Sequence, residues 1–237
     1  MTGAEVAMAT LIVGAGATVQ GTIGFGQALV AAPLLLLVDP RLVPGPITVA
    51  AAALNLLMLS RDRGHADHVG LPWAIAGLFP GTLIAAVALA VLSDGALAAT
   101  GAVIVLVAVA LSVGGLSVAT SRGSLAVAGV VSGFMSTTAG IGGPPIALVY
   151  QRAGGPALRA TLARFFVVSA TISLLALIPA GRLGAAELAA GTSMVPGAIG
   201  GFLLAGALQG RFDPHHTRTA VLVISATSAL LVLLRSA

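Results

Sequence analysis

Two stretches of this chain combine glycine with polar side chains inside apolar sequence: "TIGFGQ" at Thr22–Gln27 and "TTAGIGGPPI" at Thr137–Ile146. In hydrocarbon each unpaired backbone amide costs several kcal/mol, so unwound backbone persists only beside protein or a water-filled cavity. Pro144 and Pro145 lack N–H groups and suit the first turn of a helix, so a half-helix is expected to begin there. A helix N-terminus carries partial positive charge and free amides. Two such ends facing each other near the bilayer midplane would hold an anion without any lysine. Gly24, Phe25 and Gly26 would frame the first half of that site, and Gly140, Ile141, Gly142 and Gly143 the second. The glycines let backbone approach a ligand closely, and Gln27, Ser136, Thr137 and Thr138 add neutral donors. Neither break is a dinucleotide fingerprint, because no strand–turn–helix pattern surrounds it.

Other side chains compete for a role. Asn55, the single asparagine, lies inside an apolar run, where it either donates to an anion or bonds a neighbouring helix. Gln20, Gln27 and Gln151 flank the breaks, and Gln27 is favoured because it follows Gly26 directly. Arg164 is the basic residue deepest in an expected helix, which makes it a candidate to pair with an anion. It also lies close enough to a helix end to snorkel. Arg159 is more exposed and reads as a topology determinant. Gly14, Gly77, Gly114, Gly129 and Gly206 read as close-packing positions.

Several chemistries are disfavoured. The chain has no cysteine, which excludes disulfides and thiol catalysis. His65 and His68 share one connection, and His215 and His216 another; ordinary interfacial solvation explains them better than a metal site. No histidine lies in an expected helix near Ser136, so a Ser–His enzyme would need loop residues to fold inward. No cofactor is expected, and the lack of a nucleotide motif means that an ATP-driven pump would need a partner chain.

The elements that must position these residues are membrane helices. The chain has 237 residues, 58% hydrophobic and 8% charged, with a mean hydropathy of +1.09. Soluble domains carry about a quarter charged residues. Runs at 71–92, 96–118 and 217–234 each reach the ~18 apolar residues that suffice for a crossing. The basic excess consists of arginines between the apolar runs, a mark of topology that gives no hint of nucleic-acid binding. The N-terminus has no basic region before its apolar run and is not read as a cleaved signal.

A shift of 116 residues carries Gly24 and Gly26 onto Gly140 and Gly142, Pro40 onto Pro156, and Pro80–Gly81 onto Pro196–Gly197. The expected fold is therefore an all-α polytopic membrane protein of two repeats, residues 1–118 and 119–237. Each repeat would contain a broken-helix hairpin followed by three transmembrane helices. If the hairpin enters and leaves on one face, each repeat crosses an odd number of times and its twin is inverted. Arg61, Arg63, Arg122, Arg152, Arg159, Arg211 and Arg218 then share one side, and Arg41, Arg182 and Arg235 the other. A single long crossing would divide the same arginines evenly, against the positive-inside rule. Both termini are accordingly expected outside the cytoplasm.

The segments "GFGQALVAAPLLLLVDP" and "GIGGPPIALVYQRAGGPALRATLARFF" resemble the sulfite exporter TauE/SafE family of membrane permeases. The resemblance covers nearly the whole chain and implies a bacterial inner-membrane carrier of sulfur-containing anions such as sulfite or an organosulfonate. It carries over to Gly24, Phe25 and Gly26, and to Gly140, Gly142, Gly143, Pro144 and Pro145. The first repeat has Ala28–Leu29 where the second has the two prolines, so the half-sites are not expected to be equivalent. The expected function is secondary transport of a small anion by alternating access. An intramembrane enzyme and a channel-like or structural subunit are the alternatives. The expected partners are the anion and the lipid bilayer. The sequence leaves open whether a proton or a cation is coupled, and what the oligomeric state is.

Overall fold

The computed structural model describes residues 2–62, 64, 66–113, 118–150, 155–208 and 214–236. Arg63, His65, Gly114, Gln151, Arg152 and Arg211 lie outside them, as do the side chains of His215, His216, Arg218 and Arg235. The described residues form ten α-helices: α1 (Gly3–Ile23), α2 (Gln27–Val38), α3 (Gly45–Arg61), α4 (Leu71–Val91), α5 (Asp94–Val113), α6 (Arg122–Ala139), α7 (Gly143–Tyr150), α8 (Gly155–Leu177), α9 (Ala185–Leu208) and α10 (Pro214–Ser236). Six segments among the described residues are long and apolar enough to cross a membrane. The helix α6 is not one of them, because Arg122 and buried Ser132, Ser136, Thr137 and Thr138 lower its hydropathy.

Local chemistry explains the boundaries. Thr2 and Glu5 form a capping box on α1, and Ser121 accepts the Ser124 amide at the start of α6. Asp39 accepts the Arg41 amide at 2.9 Å in the turn after α2, as aspartate before proline commonly does in turns. Large apolar side chains such as Leu83, Val91, Leu203 and Leu234 face outward, as lipid-facing residues do. At 1.5 Å per residue, α2 and α7 are about 18 and 12 Å long, short of a ~30 Å hydrocarbon core. They are half-helices.

Each half-helix folds back along the helix before it. A Cβ at Gly16 of α1 would meet the Gln27 carbonyl oxygen at 2.5 Å, so α1 and α2 touch backbone to backbone. Val6 of α1, Asp39 after α2 and Pro46 of α3 border one cleft. In the second hairpin, the Thr120 hydroxyl donates to the Val149 carbonyl at 3.0 Å, and the Tyr150 hydroxyl to Asp67 at 2.9 Å. Asp67 follows α3. The first hairpin thus opens beside the N-terminal end of α3 and the second beyond its C-terminal end. Burial alone would raise the Asp67 pKa, but hydrogen bonds from the Gly70 amide, Tyr150 hydroxyl and Val69 amide outweigh it and hold the carboxyl below its ordinary value.

Helix contacts come in matched pairs. α4 packs on α6 as α9 packs on α1; α3 packs on α9 as α8 packs on α4; and α2 packs on α10 as α7 packs on α5. Small residues make the two main seams. Gly77, Gly81 and Gly129 leave no room for a Cβ against the backbone of Ala126, Val130 and Ala74. Gly14, Gly197 and Gly201 do the same between α1 and α9. The packing reading therefore holds for Gly14, Gly77 and Gly129. It fails for Gly206, whose Cβ position has nothing within 4 Å.

Candidate functional site

Both glycine-rich stretches are true breaks. α1 ends at Gly24 (φ 104°), whose amide donates to the Gln20 carbonyl at 2.7 Å, and α2 starts after Gly26 (φ 115°). α6 ends at Gly140 (φ 75°), whose amide donates to Ser136, while the Ile141 amide reaches back to Met135. These left-handed backbones would cost another residue about 1–2 kcal/mol each, which is why glycine stands there. Gly142 is different: its φ is ordinary, but a Cβ would lie 2.9 Å from that of Ser136.

The two breaks, more than a hundred residues apart in sequence, share a chamber. Gly26, Gln27, Ala28 and Leu29 from the first and Gly140 to Pro144 from the second line a void of about 40 Å³. Gln20, Ala51, Asn55 and Phe166 close it. A second void of about 40 Å³ shares Ala51, Asn55, Gly140, Gly142 and Phe166 and adds Thr48, Ser136 and Ser169. One water needs roughly 10–15 Å³ by this measure, so the pair holds a few waters or one small polyatomic ion. A larger hollow of about 320 Å³, between Asp39, Arg41 and Glu187, is an open cleft remote from both breaks. Size is a weaker guide here than polar convergence, and the small chamber has the latter.

Gln20 Oε1 accepts the Gln27 amide at 3.1 Å, while its Nε2 donates to Asn55 Oδ1 at 2.8 Å. Asn55 Nδ2 in turn donates to the Phe166 carbonyl at 3.4 Å, linking α1, α3 and α8 around the chamber. The Gln27 side chain is 1% exposed, yet neither its amide oxygen nor its nitrogen has a partner among the described residues. Such a group costs about 1–3 kcal/mol. Gln27 is also one of the residues that line the chamber, so the unmet polar group and the void belong to the same residue.

The half-helix ends differ. The first three amides of α2 have no partner within the helix; Gln27 gives its own to Gln20, and those of Ala28 and Leu29 open the helix at the chamber. The helix α7 begins at Gly143, one residue before the expected start, with Pro144 and Pro145 in its first turn. It contributes a dipole end with two donors deleted. The two ends are therefore unequal in donors, in line with the expectation that the half-sites are not equivalent.

The structure brings only part of the expected set to the chamber. Gly26, Gln27, Asn55, Ser136, Gly140, Ile141, Gly142, Gly143 and Pro144 line one void or both. Pro145 is buried in the α7 turn behind them. Gly24 instead lies under the Arg159 stem, whose Cγ is 3.1 Å from its Cβ position. Phe25 packs on Gly143 and borders a separate apolar void with Val19 and Leu222. Thr137 is fully buried, bonded to Ser173 at 2.9 Å and Thr82 at 3.3 Å. Thr138 donates to the Phe134 carbonyl and borders a hollow of about 130 Å³ beside Arg41 and Arg182. Arg164 Nη1 donates to the Ala160 carbonyl on its own helix at 2.9 Å and lines neither void. The snorkelling account of Arg164 is the one the geometry favours.

Sequence reasoning passed over Thr48, Ala51, Phe166 and Ser169, and gave Gln20 no more than a flanking place. Ser136 bonds Ser169 at 3.0 Å and Ser173 at 2.8 Å, so the second break rests on a hydroxyl cluster. The available signal was spacing: Thr48, Ala51 and Asn55, like Ser169 and Ser173, recur at intervals that share one helix face. Among the described residues no group of histidine and acid side chains could hold a metal ion.

Comparison with known proteins agrees over this architecture. The family described as sulfite exporter TauE/SafE matches residues 8–232. A protein of Cupriavidus necator described as a probable sulfite/organosulfonate exporter TauE is 29% identical over 225 residues, which cover 87% of this chain and 85% of the relative. No solved structure matches.

Proposed function

Because the chain belongs to the sulfite exporter TauE/SafE family, whose members are transporters and not enzymes, we propose that it carries sulfite or a small organosulfonate across the bacterial inner membrane. The substrate sits in the chamber between the two breaks. One observation carries this reading: breaks from both halves of the sequence converge on one polar void lined by Gln27, whose side-chain amide is buried and unpaired among the described residues.

The chemistry suits an oxyanion. Sulfite and sulfonate oxygens accept several hydrogen bonds, and the residues lining the two voids include those of the leading amides of α2, Gln27 with its unpaired side-chain amide, and Ser136, whose hydroxyl is shared with Ser169 and Ser173. Both half-helix dipoles point positive ends at the same space. No fixed cation is needed, which eases release of the anion. Arginine in the chamber would bind tighter and hold longer.

The paired helix contacts, and hairpins that open at opposite ends of α3, support two inverted repeats working by alternating access. We place the Arg61 end in the cytoplasm and both termini outside, following the arginine distribution. The hollow beside Arg41 reaches Thr138 next to the second break, and fully buried Ile47 stands against Gly140.

Flux into proteoliposomes across sulfite, thiosulfate, sulfoacetate, taurine and carboxylates tests the proposal. Saturable flux of sulfite or a sulfonate is expected. Folded protein that moves no anion at all would end it, and flux that never saturates would point to a channel.

A further inference from the structure

At the Arg61 end of the first break lies a cluster that the chamber does not use. Asp62 bridges two guanidinium groups: its Oδ2 accepts from Arg61 Nη2 at 3.1 Å and its Oδ1 from Arg159 Nε at 3.3 Å. We propose that Arg61 and Arg159 form a second oxyanion site at this mouth, in which the Asp62 carboxylate occupies the place of an arriving sulfite or sulfonate group. The inference rests on the anion-transport reading above.

Four observations converge on it. Two guanidinium groups face one carboxylate, so the trio keeps a net positive charge and still attracts anions. Arg61 Nη1 is buried with no acceptor among the described residues, a donor for which Asp62 provides nothing. Arg61 is nonetheless held in place, with Nη2 also 2.8 Å from the Gly21 carbonyl and the guanidinium carbon 4.8 Å from the centre of the Phe202 ring. A preorganised guanidinium loses little freedom when it takes an oxyanion. Finally, all three side chains are partly open to the outside, at 25% for Arg61, 23% for Arg159 and 10% for Asp62, so an anion can compete there.

The site touches the first break at two points. Arg61 holds the carbonyl of Gly21, whose neighbour Gln20 lines the chamber. The Arg159 stem covers Gly24, and Gly26 two residues on lines the chamber as well. An anion that displaces Asp62 would be held by the same two guanidinium groups, beside the backbone of the first break. The carboxylate acts as a resident competitor until substrate arrives.

Arginine modification in the wild-type protein tests this directly. Purified protein is treated with phenylglyoxal with and without sulfoacetate, whose sulfonate does not add to the reagent as sulfite would, and adducts at each arginine are read by mass spectrometry. Sulfoacetate should protect Arg61 and Arg159 but leave Arg41, 84% exposed at the other end, equally reactive. Unchanged modification of Arg61 and Arg159 would overturn the second site even if the protein transports sulfite. Protection without any flux would keep the site and remove the transport reading.

Kinetics in membrane vesicles give an independent reading. Asp62→Asn should lower KM for sulfite by about fivefold, the factor a partly exposed ion pair is worth, and Arg159→Gln should raise it. Both effects should occur in only one of right-side-out and inside-out vesicles. A staple that merely ends α1 would shift thermal stability and alter KM equally from both faces, and that pattern would also overturn the proposal.

Discussion

The two breaks place glycine at the same points of their repeats, yet they solve the problem of interrupted backbone differently. In the first, Gln20 satisfies the leading amide of α2, and the buried side chain of Gln27, a residue of the chamber wall, is left without partners among the described residues. In the second, prolines delete the donors that would need satisfying, and a hydroxyl cluster of Ser136, Ser169, Ser173 and Thr137 supports the turn from behind. The two breaks carry unequal chemistry. On the proposed reading the first supplies the contacts that recognise the anion, and the second supplies shape and field.

The largest test of this division is Gln27→Leu. Removing both orphan polar atoms should leave the melting temperature unchanged or higher, because no buried partner is stranded. Transport should fall roughly 10- to 100-fold, the loss expected from one hydrogen bond to a charged solute. Near-normal flux in Gln27→Leu proteoliposomes would break the comparison outright.

Next in size is Asn55→Ala, which leaves the buried Gln20 Nε2 only the Met58 sulfur as acceptor and removes the tie to the Phe166 carbonyl of α8. Thermal or denaturant unfolding should show a loss of about 1–3 kcal/mol, with weaker sulfite binding beside it. A variant as stable as the wild type would show that the Gln20–Asn55–Phe166 chain does not hold the first break.

A sharper contrast comes from alanine at matched glycines. Gly26→Ala and Gly140→Ala both force a side chain into left-handed backbone, at about 1–2 kcal/mol each. At Gly140 the new carbon also meets Ile47 Cγ2 at 2.9 Å, whereas at Gly26 its nearest neighbour is Val19 Cγ1 at 3.3 Å. Gly140→Ala should therefore melt lower than Gly26→Ala, while Gly26→Ala should lose more transport per degree of melting temperature. The reverse ranking would assign recognition to the second break.

The smallest effect belongs to Pro144→Ala, which restores one amide at the start of α7. Stability should drop by less than about 1 kcal/mol. Sulfite KM should fall slightly as the second break gains a donor. A marked rise in KM would mean that the prolines do more than remove hydrogens.

Much of this architecture is legible in the chain because glycine and proline act locally. The breaks at Gly24–Gly26 and Gly140 and the helix boundaries follow from residues that cannot continue a helix, whatever surrounds them. The far wall of the chamber follows from no such rule. Ala51 and Phe166 are ordinary membrane residues, and only the packing of α3 against α8 brings them beside the breaks. Arg164 misled for a related reason: depth along a helix was visible, but the direction of a long side chain was not, and its guanidinium turns back to Ala160. The division between Ser136, Thr137 and Thr138 is likewise tertiary. Consecutive hydroxyls on a helix point about 100° apart, so only one of the three can face the chamber.

The glycine seams carry a mechanical consequence. The closest contacts in the protein join α1 to α9 and α4 to α6, and each ties a helix of residues 1–118 to one of residues 119–237. Prying the two sequence halves apart would tear backbone-to-backbone joints along both seams at once. On the alternating-access proposal the bodies that move are mosaics, one built around α1 and α9 and another around α4 and α6, each drawing on both halves of the chain. The hinge line would then not follow the boundary between residues 1–118 and 119–237.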